Sequence, residues 1–224
     1  MAIISYRHKF IYLLNPRTAS TATAKALRDT LPCQFVPKED ILDENGKIVV
    51  PKKHTTLRHL RRHEILDDDV LERFFTFVTV RNPFDSLVSL WAKKVKDYAH
   101  LIDDPNSWVN KVPGYADSLR RSAGLTYAQW VETEYGPKME AGKPGYMNGS
   151  FTEGVDHILR YENLAEDFSQ ITGRLGLPEG FELPTVNVTK GRDDADYRTY
   201  YDDRSRQIVA TVFAREIEAL GYDF

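Results

Sequence analysis

Two apolar runs in this chain break at the same dipeptide, and each leads into a helical pattern. Phe10-Ile11-Tyr12-Leu13-Leu14 runs into Asn15-Pro16; Phe74 to Val80 runs through Arg81 into Asn82-Pro83. Short runs of strand formers bounded in this way predict buried strands. Ala19 to Leu31 then reads as a helix, with Ala22, Ala26 and Leu27 at helical spacing and Pro32 as the stop. Pro83 suits the first turn of a second helix reaching about Tyr98, with Leu87, Leu90, Trp91 and Val95 on one face. Val155 to Tyr161 predicts a third strand. Glu162 to Leu175 predicts a helix ended by Gly176 and Pro178, and Asp203 to Leu220 a last helix capped by Gly221. Strands alternating with helices constrain the chain to an α/β class, a three-layer sandwich with a mainly parallel central sheet.

The 224 residues suit a single domain over 1–224. Its stretch from about 103 to 154, rich in Gly, Pro, Trp and Tyr, is expected to form short helices and loops over one end of the sheet. Of its aromatics, and of Tyr98 just before it, most are expected to pin that stretch to the core rather than meet a ligand. The formal net charge of −3 argues against a global pull toward nucleic acid or an anionic membrane, so an anionic ligand needs a local cluster of cations. Cys33 is the single cysteine, which excludes an intrachain disulfide and a cysteine-based zinc cluster. The Phe10–Leu14 run is too short for a signal-peptide core, and no stretch approaches a membrane span; a soluble, cytoplasmic protein is expected.

Familiar nucleotide and metal signatures fail. Gly46-Lys47 and Gly142-Lys143 are followed by Ile48 and Pro144 rather than Ser or Thr, so a Walker-type loop is missing. No two glycines stand one residue apart, as a dinucleotide fingerprint requires. His59 and His63 are four apart, but Arg58, Arg61 and Arg62 crowd the same predicted helix, which reads as a solvated basic face.

The junction after Leu14 offers a different chemistry. Where a strand passes into a helix, the first helical N–H groups lack intrahelical partners and the helix dipole adds positive potential. Such a site binds anions. Small residues Thr18, Ala19, Ser20 and Thr21 let an oxyanion approach the backbone, their hydroxyls can donate, and Arg17 supplies a permanent forked cation. An ordinary Ser/Thr-rich helix cap is the alternative. Arg81, at the carboxyl end of the second predicted strand, and Ser89, about two turns into the next helix, form a plausible second anion clamp.

These segments resemble sulfotransferases that use 3′-phosphoadenosine 5′-phosphosulfate (PAPS), in particular the branch of carbohydrate sulfotransferases and their bacterial relatives. Pro16-Arg17-Thr18-Ala19-Ser20-Thr21 is similar to the family's Pro-Lys-Thr-Ala-Gly-Thr loop, which binds the 5′-phosphosulfate. Val80-Arg81-Asn82-Pro83 with Ser89 is similar to its 3′-phosphate site. Leu159-Arg160-Tyr161-Glu162-Asn163-Leu164 and the tail from Val186 through Tyr200-Tyr201 to Phe224 match more loosely. The resemblance implies a P-loop-NTPase-like sulfotransferase fold, with PAPS as co-substrate and no metal. The nucleotide would be held by Arg17, Thr18, Ala19, Ser20, Thr21, Ala22, Arg81 and Ser89, with Lys190 and Arg192 as a third contact by analogy. The acceptor would be a carbohydrate or small molecule. His54, in a Lys-His-Thr segment, would be the base, and neighbouring Lys52 and Lys53 would favour its neutral form. Two departures stand out. Arg17 replaces the usual lysine and stays charged, so it would act electrostatically, and Ser20 replaces a glycine, which makes the loop less permissive. A nucleotide-dependent phosphotransferase and a non-catalytic nucleotide-binding protein are the rival readings.

Overall fold

The computed structural model describes residues 2–46, 48–112, 114–183 and 195–224. Its elements run in chain order as β1 (Ala2–Ser5), β2 (Phe10–Leu13), α1 (Ser20–Thr30), β3 (Gln34–Val36), β4 (Ile41–Leu42), β5 (Ile48–Val50), α2 (Leu57–Arg62), α3 (Asp68–Arg73) and β6 (Phe75–Val80). They continue as α4 (Pro83–Ala92), α5 (Trp108–Lys111), α6 (Tyr115–Ser122), α7 (Tyr127–Glu140), β7 (His157–Arg160), α8 (Leu164–Ser169), α9 (Thr172–Leu175), α10 (Asp203–Val212) and α11 (Ala214–Leu220). The chain divides into two compact units. The first holds described residues 2–81 and 148–183, the second 82–147 and 195–224.

The first unit is built on a five-stranded sheet in the order β3-β1-β2-β6-β7. β2, β6 and β7 pair in parallel, and β1 pairs antiparallel with both β2 and β3. Four strands therefore point one way, and β1 alone runs against them. All six residues of β6 and all four of β2 are buried. Strands covered on both faces read as continuous apolar runs, which is why these two are visible in the sequence. Phe10, Tyr12, Phe75, Phe77 and Leu159 share one face, against Ala24 and Leu27 of α1 and Leu164, Phe168 and Leu175 of α8 and α9. The pairing of Tyr12 with Phe77 across β2 and β6 stacks their rings at 4.7 Å.

The second unit packs α4, α7 and α10 around Phe84, Leu87, Tyr127, Trp130, Ile208 and Val212. The Tyr201 hydroxyl donates to the Phe84 carbonyl at 2.8 Å, and the Tyr127 hydroxyl donates to Tyr201. The carboxyl-terminal tail closes over this core. Phe224 meets Phe84 edge-on at 5.1 Å, and Asn82 Nδ2 donates to the Asp223 carbonyl at 2.7 Å.

Several elements differ from expectation. β1 and β3 have no counterpart in the pattern reading; both are too short to show a period. The predicted 162–175 helix is a 3-10 turn followed by α8 and α9. The hydroxyls of Ser169 and Thr172 donate back to the carbonyls of Glu166 and Ser169, in competition with helix propagation. The last helix divides at Phe213, which caps α10 and α11 together while its ring is buried. The stretch from 103 to 154 is not merely loops and short helices, since it contains the 14-residue α7. Thr126 and Gln129 close a capping box at its start, a signal present in the sequence, whereas Gly136-Pro137 obscures its period. The helix from Pro83 does reach Tyr98, its last turn widening to a π-helix at Lys93–Asp97. In the aromatic middle, Trp130 is core, while Trp108 and Tyr146 are exposed.

Candidate active site

β2, β6 and β7 lie side by side and run in parallel, so their carboxyl ends, and the segments that leave them, gather at one edge of the first unit. Open α/β sheets bind ligands at that edge.

The loop leaving β2 turns sharply, with Arg17 at φ 66° and Ala19 at φ 58°. Left-handed backbone at a residue bearing a Cβ costs about 1–2 kcal/mol. Alternating backbone hand turns successive N–H groups toward a shared concavity. Ala19 precedes α1, and no side chain caps the helix and no acidic residue occupies its first turn. The N–H groups of Ser20 and Thr21 are thus turned toward a position that suits an anion, with the helix dipole in support. Ser20 does not carry the strain that the family's glycine suggested. It is the first residue of α1, and the left-handed positions are Arg17 and Ala19.

The hydroxyls divide their work. Thr18 Oγ1 and Ser20 Oγ donate to the Asn15 carbonyl at 2.9 and 2.6 Å, so both brace the loop. The expectation that they point at an oxyanion does not describe this conformation, in which Thr21 is the exposed hydroxyl. Ala22 bonds through its N–H to the Ala19 carbonyl at 2.9 Å.

Arg81 is 5% exposed, directly after β6. Its Nη1 donates to the Arg17 carbonyl at 3.0 Å, and its guanidinium lies 4.0 Å from the Tyr161 ring centre. The guanidinium is thereby held flat between the loop and the end of β7, a pre-organised geometry that a lysine could not adopt. Tyr161 comes from the loosely matching Leu159–Leu164 segment, which the fold brings to the same edge.

Asn148 joins these parts and has no signature in the sequence. It is 2% exposed. Its Oδ1 accepts from Asn15 Nδ2 at 3.0 Å and from the Arg81 N–H at 3.1 Å, and its Nδ2 donates to the Arg81 carbonyl at 3.0 Å. Asn15 Nδ2 also donates to the Thr79 carbonyl at 3.0 Å. One side-chain amide thus substitutes for a missing strand partner and ties the exits of β2 and β6 together.

His54 reaches the same edge from the segment before α2. The Leu14 carbonyl lies beside its ring and favours the protonated form. Burial lowers its pKa from the ordinary 6.5, nearby positive charge including Lys53 lowers it further, and the Leu14 bond opposes both. His54 itself has φ 67°, and the chain around it is pinned by Thr55 Oγ1, which donates to the Pro51 carbonyl at 2.5 Å. His59 serves differently: its Nδ1 accepts from the Thr56 N–H at 3.3 Å and closes the cap of α2.

A backbone cradle, two arginines linked through one carbonyl and a neutral histidine thus meet in one unit. The sequence model of the sulfotransferase family matches residues 1–223. The chain belongs to the sulfotransferase family. Membership implies an enzyme that transfers a sulfuryl group. Neither the comparison with curated proteins nor that with solved structures found a match. Relative to this family site, Ser89 is buried on α4, in the second unit, so the two predicted halves of the Arg81–Ser89 clamp fall in different units. Lys190 and Arg192 lie outside the described residues, as does the Val186–Val188 part of the tail match. Among the described residues no helix is long and apolar enough to cross a membrane.

Proposed function

We propose that this sulfotransferase takes PAPS as donor and moves its sulfuryl group to a hydroxyl of a carbohydrate or small-molecule acceptor. The observation that carries the reading is the shared edge. The Arg17 loop, Arg81 and His54 meet there through the Arg17 and Leu14 carbonyls. The P-loop-like description of the fold belongs to the same reading, since a parallel strand, an N–H-lined turn and a helix N-terminus form a phosphate cradle without a Walker lysine. The donor's chemistry suits the residues present, because the first turn of α1 carries no acidic side chain to repel it.

When bound, PAPS supplies the sulfuryl group and a leaving phosphate. The chain's own residues do the rest. The N–H groups from Ala19 to Thr21 and the Arg17 charge neutralise developing negative charge without rearranging. Arg81 holds the 3′-phosphate and so sets the register of the nucleotide. His54, whose pKa burial pushes down, accepts the acceptor's hydroxyl proton on a ring nitrogen. Arginine at position 17 stays charged, so it stabilises the leaving group and does not protonate it.

The test is thermal stability with adenosine 3′,5′-bisphosphate, since a ligand that binds only the folded state raises Tm. A rise with the bisphosphate is expected, and Arg81→Ala should weaken that ligand far more than adenosine 5′-monophosphate. A rise with ATP and none with the bisphosphate would defeat the reading.

A further inference from the structure

The helix that follows His54 begins with a cap that titrates. A capping box ordinarily pairs a Ser or Thr at the N-cap with a Glu or Gln three residues on. Here Thr56 is the N-cap of α2 and the third helical position is a histidine, His59. The His59 N–H donates to Thr56 Oγ1 at 3.3 Å, and the Thr56 N–H donates to His59 Nδ1 at 3.3 Å. Thr56 Oγ1 lies 3.2 Å from the same ring nitrogen. A ring nitrogen that accepts an N–H cannot itself carry a proton, so the box needs a neutral imidazole protonated on Nε2. Glutamine would close this box at any pH, whereas histidine closes it only above its own pKa.

The cap stands two residues after His54. Between them, the fully buried Thr55 donates through Oγ1 to the Pro51 carbonyl, and Thr56 is 2% exposed. His54 has left-handed backbone at φ 67°, a conformation that its neighbours must hold in place. Protonating His59 takes the acceptor from the buried Thr56 N–H and adds a positive charge to the first turn of a helix, where the dipole opposes it. Charged groups surround the ring from several elements. Burial, then His63, Arg58 and Arg62 of α2 itself, lower its pKa from 6.5. From α3, Asp68 pairs with Arg61 at 3.6 Å, and Glu153 lines a cleft together with Arg58, Arg61 and Arg62. Lys52 and Lys53 precede the cap.

We propose that His59 is a positioning residue for His54: neutral, it closes the Thr56 cap and holds the His54 loop, and protonated, it opens the cap and releases the loop. The inference rests on the reading of His54 as the base and adds a second proton that must be absent for that base to be placed. The sign follows from the direction of the shift. With a folded pKa below 6.5, the capped state is complete above pH 6.5 and is lost as pH falls through the folded value.

The test is nuclear magnetic resonance on the full chain, with no dependence on turnover. At about pH 7.5 the ring nitrogen shifts of His59 should place its proton on Nε2. A proton on Nδ1 overturns the proposal in wild type alone. Amide exchange at Thr56, expressed as protection over the unfolded rate, is then followed from about pH 7.5 to about pH 5. Wild-type protection should fall about fivefold or more as His59 titrates, the usual worth of an N-cap. His59→Gln should keep the high value at every pH, and His59→Ala should be low throughout. Protection that does not change with pH in wild type, that falls equally in His59→Gln, or that survives in His59→Ala overturns the proposal. The His54 ring reports the consequence. Its midpoint should rise toward 6.5 in His59→Ala, where the burial that lowers it is lost, and stay depressed in His59→Gln; both variants lack the His59 charge, so their difference isolates the cap. Equal His54 midpoints in the two variants overturn the positioning role. If His54→Ala is inactive and those midpoints are equal, this inference fails alone; if His54→Ala turns over normally, the base reading has failed and takes the positioning role with it.

Discussion

Asn148→Ala isolates the bridge between the two strand exits. The substitution removes the acceptor of the Arg81 N–H, the donor to the Arg81 carbonyl and one acceptor of Asn15 Nδ2. Asn15 Nδ2 keeps its bond to the Thr79 carbonyl. Two backbone groups beside a residue that is 5% exposed therefore lose these partners. Each unsatisfied buried group costs about 1–3 kcal/mol, so the variant should lose about 2–6 kcal/mol. Water admitted to the vacated space would hold the loss near the lower figure. For a chain of this length, 1 kcal/mol corresponds to roughly 2–4 °C in Tm. A fall of about 4–24 °C, toward the lower end if water enters, is expected in a scan followed by circular dichroism. The same bonds orient Arg81, so affinity for adenosine 3′,5′-bisphosphate should fall as well, measured at a temperature where the variant is folded. A Tm within about 2 °C of wild type would refute the bridge, because surface substitutions stay within about 0.5 kcal/mol.

Two further outcomes follow from the same geometry. Ala19→Gly removes a left-handed Cβ penalty of about 1–2 kcal/mol against an unfolded-state entropy cost of about 0.4–1 kcal/mol, so Tm should hold or rise by a few degrees; a clear fall would mean that Ala19 is not left-handed in solution. His54 is held neutral, with a folded pKa below 6.5. A histidine so depressed contributes stability that is present above pH 6.5 and lost as pH falls through the folded value. The acid limb of kcat/KM should accordingly lie below pH 6.5, and His54→Ala should abolish turnover with the bisphosphate-induced Tm rise intact. Full turnover in that variant would assign the proton to another group.

How much of this was legible beforehand differs from residue to residue. β2 and β6 were readable because both faces of each strand are buried, and α1 because its apolar residues repeat at helical spacing. α7 carried a readable capping box but a masked period. β1 and β3 are too short to declare themselves. The candidate site shows the same contrast. Arg17, Arg81 and His54 stood out for their chemistry and their family resemblance, whereas Asn148 did not, since a buried asparagine looks like any other until its partners are known.

The amino-acid sequence by itself determined the α/β class, the strand-loop-helix at Asn15–Thr21, and membership of the sulfotransferase family. These depend on neighbours within one or two turns, where period, caps and breakers act. Tertiary structure alone decided that His54 leans on Leu14, that Arg81 holds the Arg17 carbonyl, and that Asn148 joins Asn15 to Arg81 across 133 and 67 residues. It also turned the hydroxyls of Thr18 and Ser20 inward and left Arg17 and Ala19 in left-handed backbone. The physical reason is that such contacts follow from strand order and from the competition among buried polar groups for partners, and no local pattern encodes either.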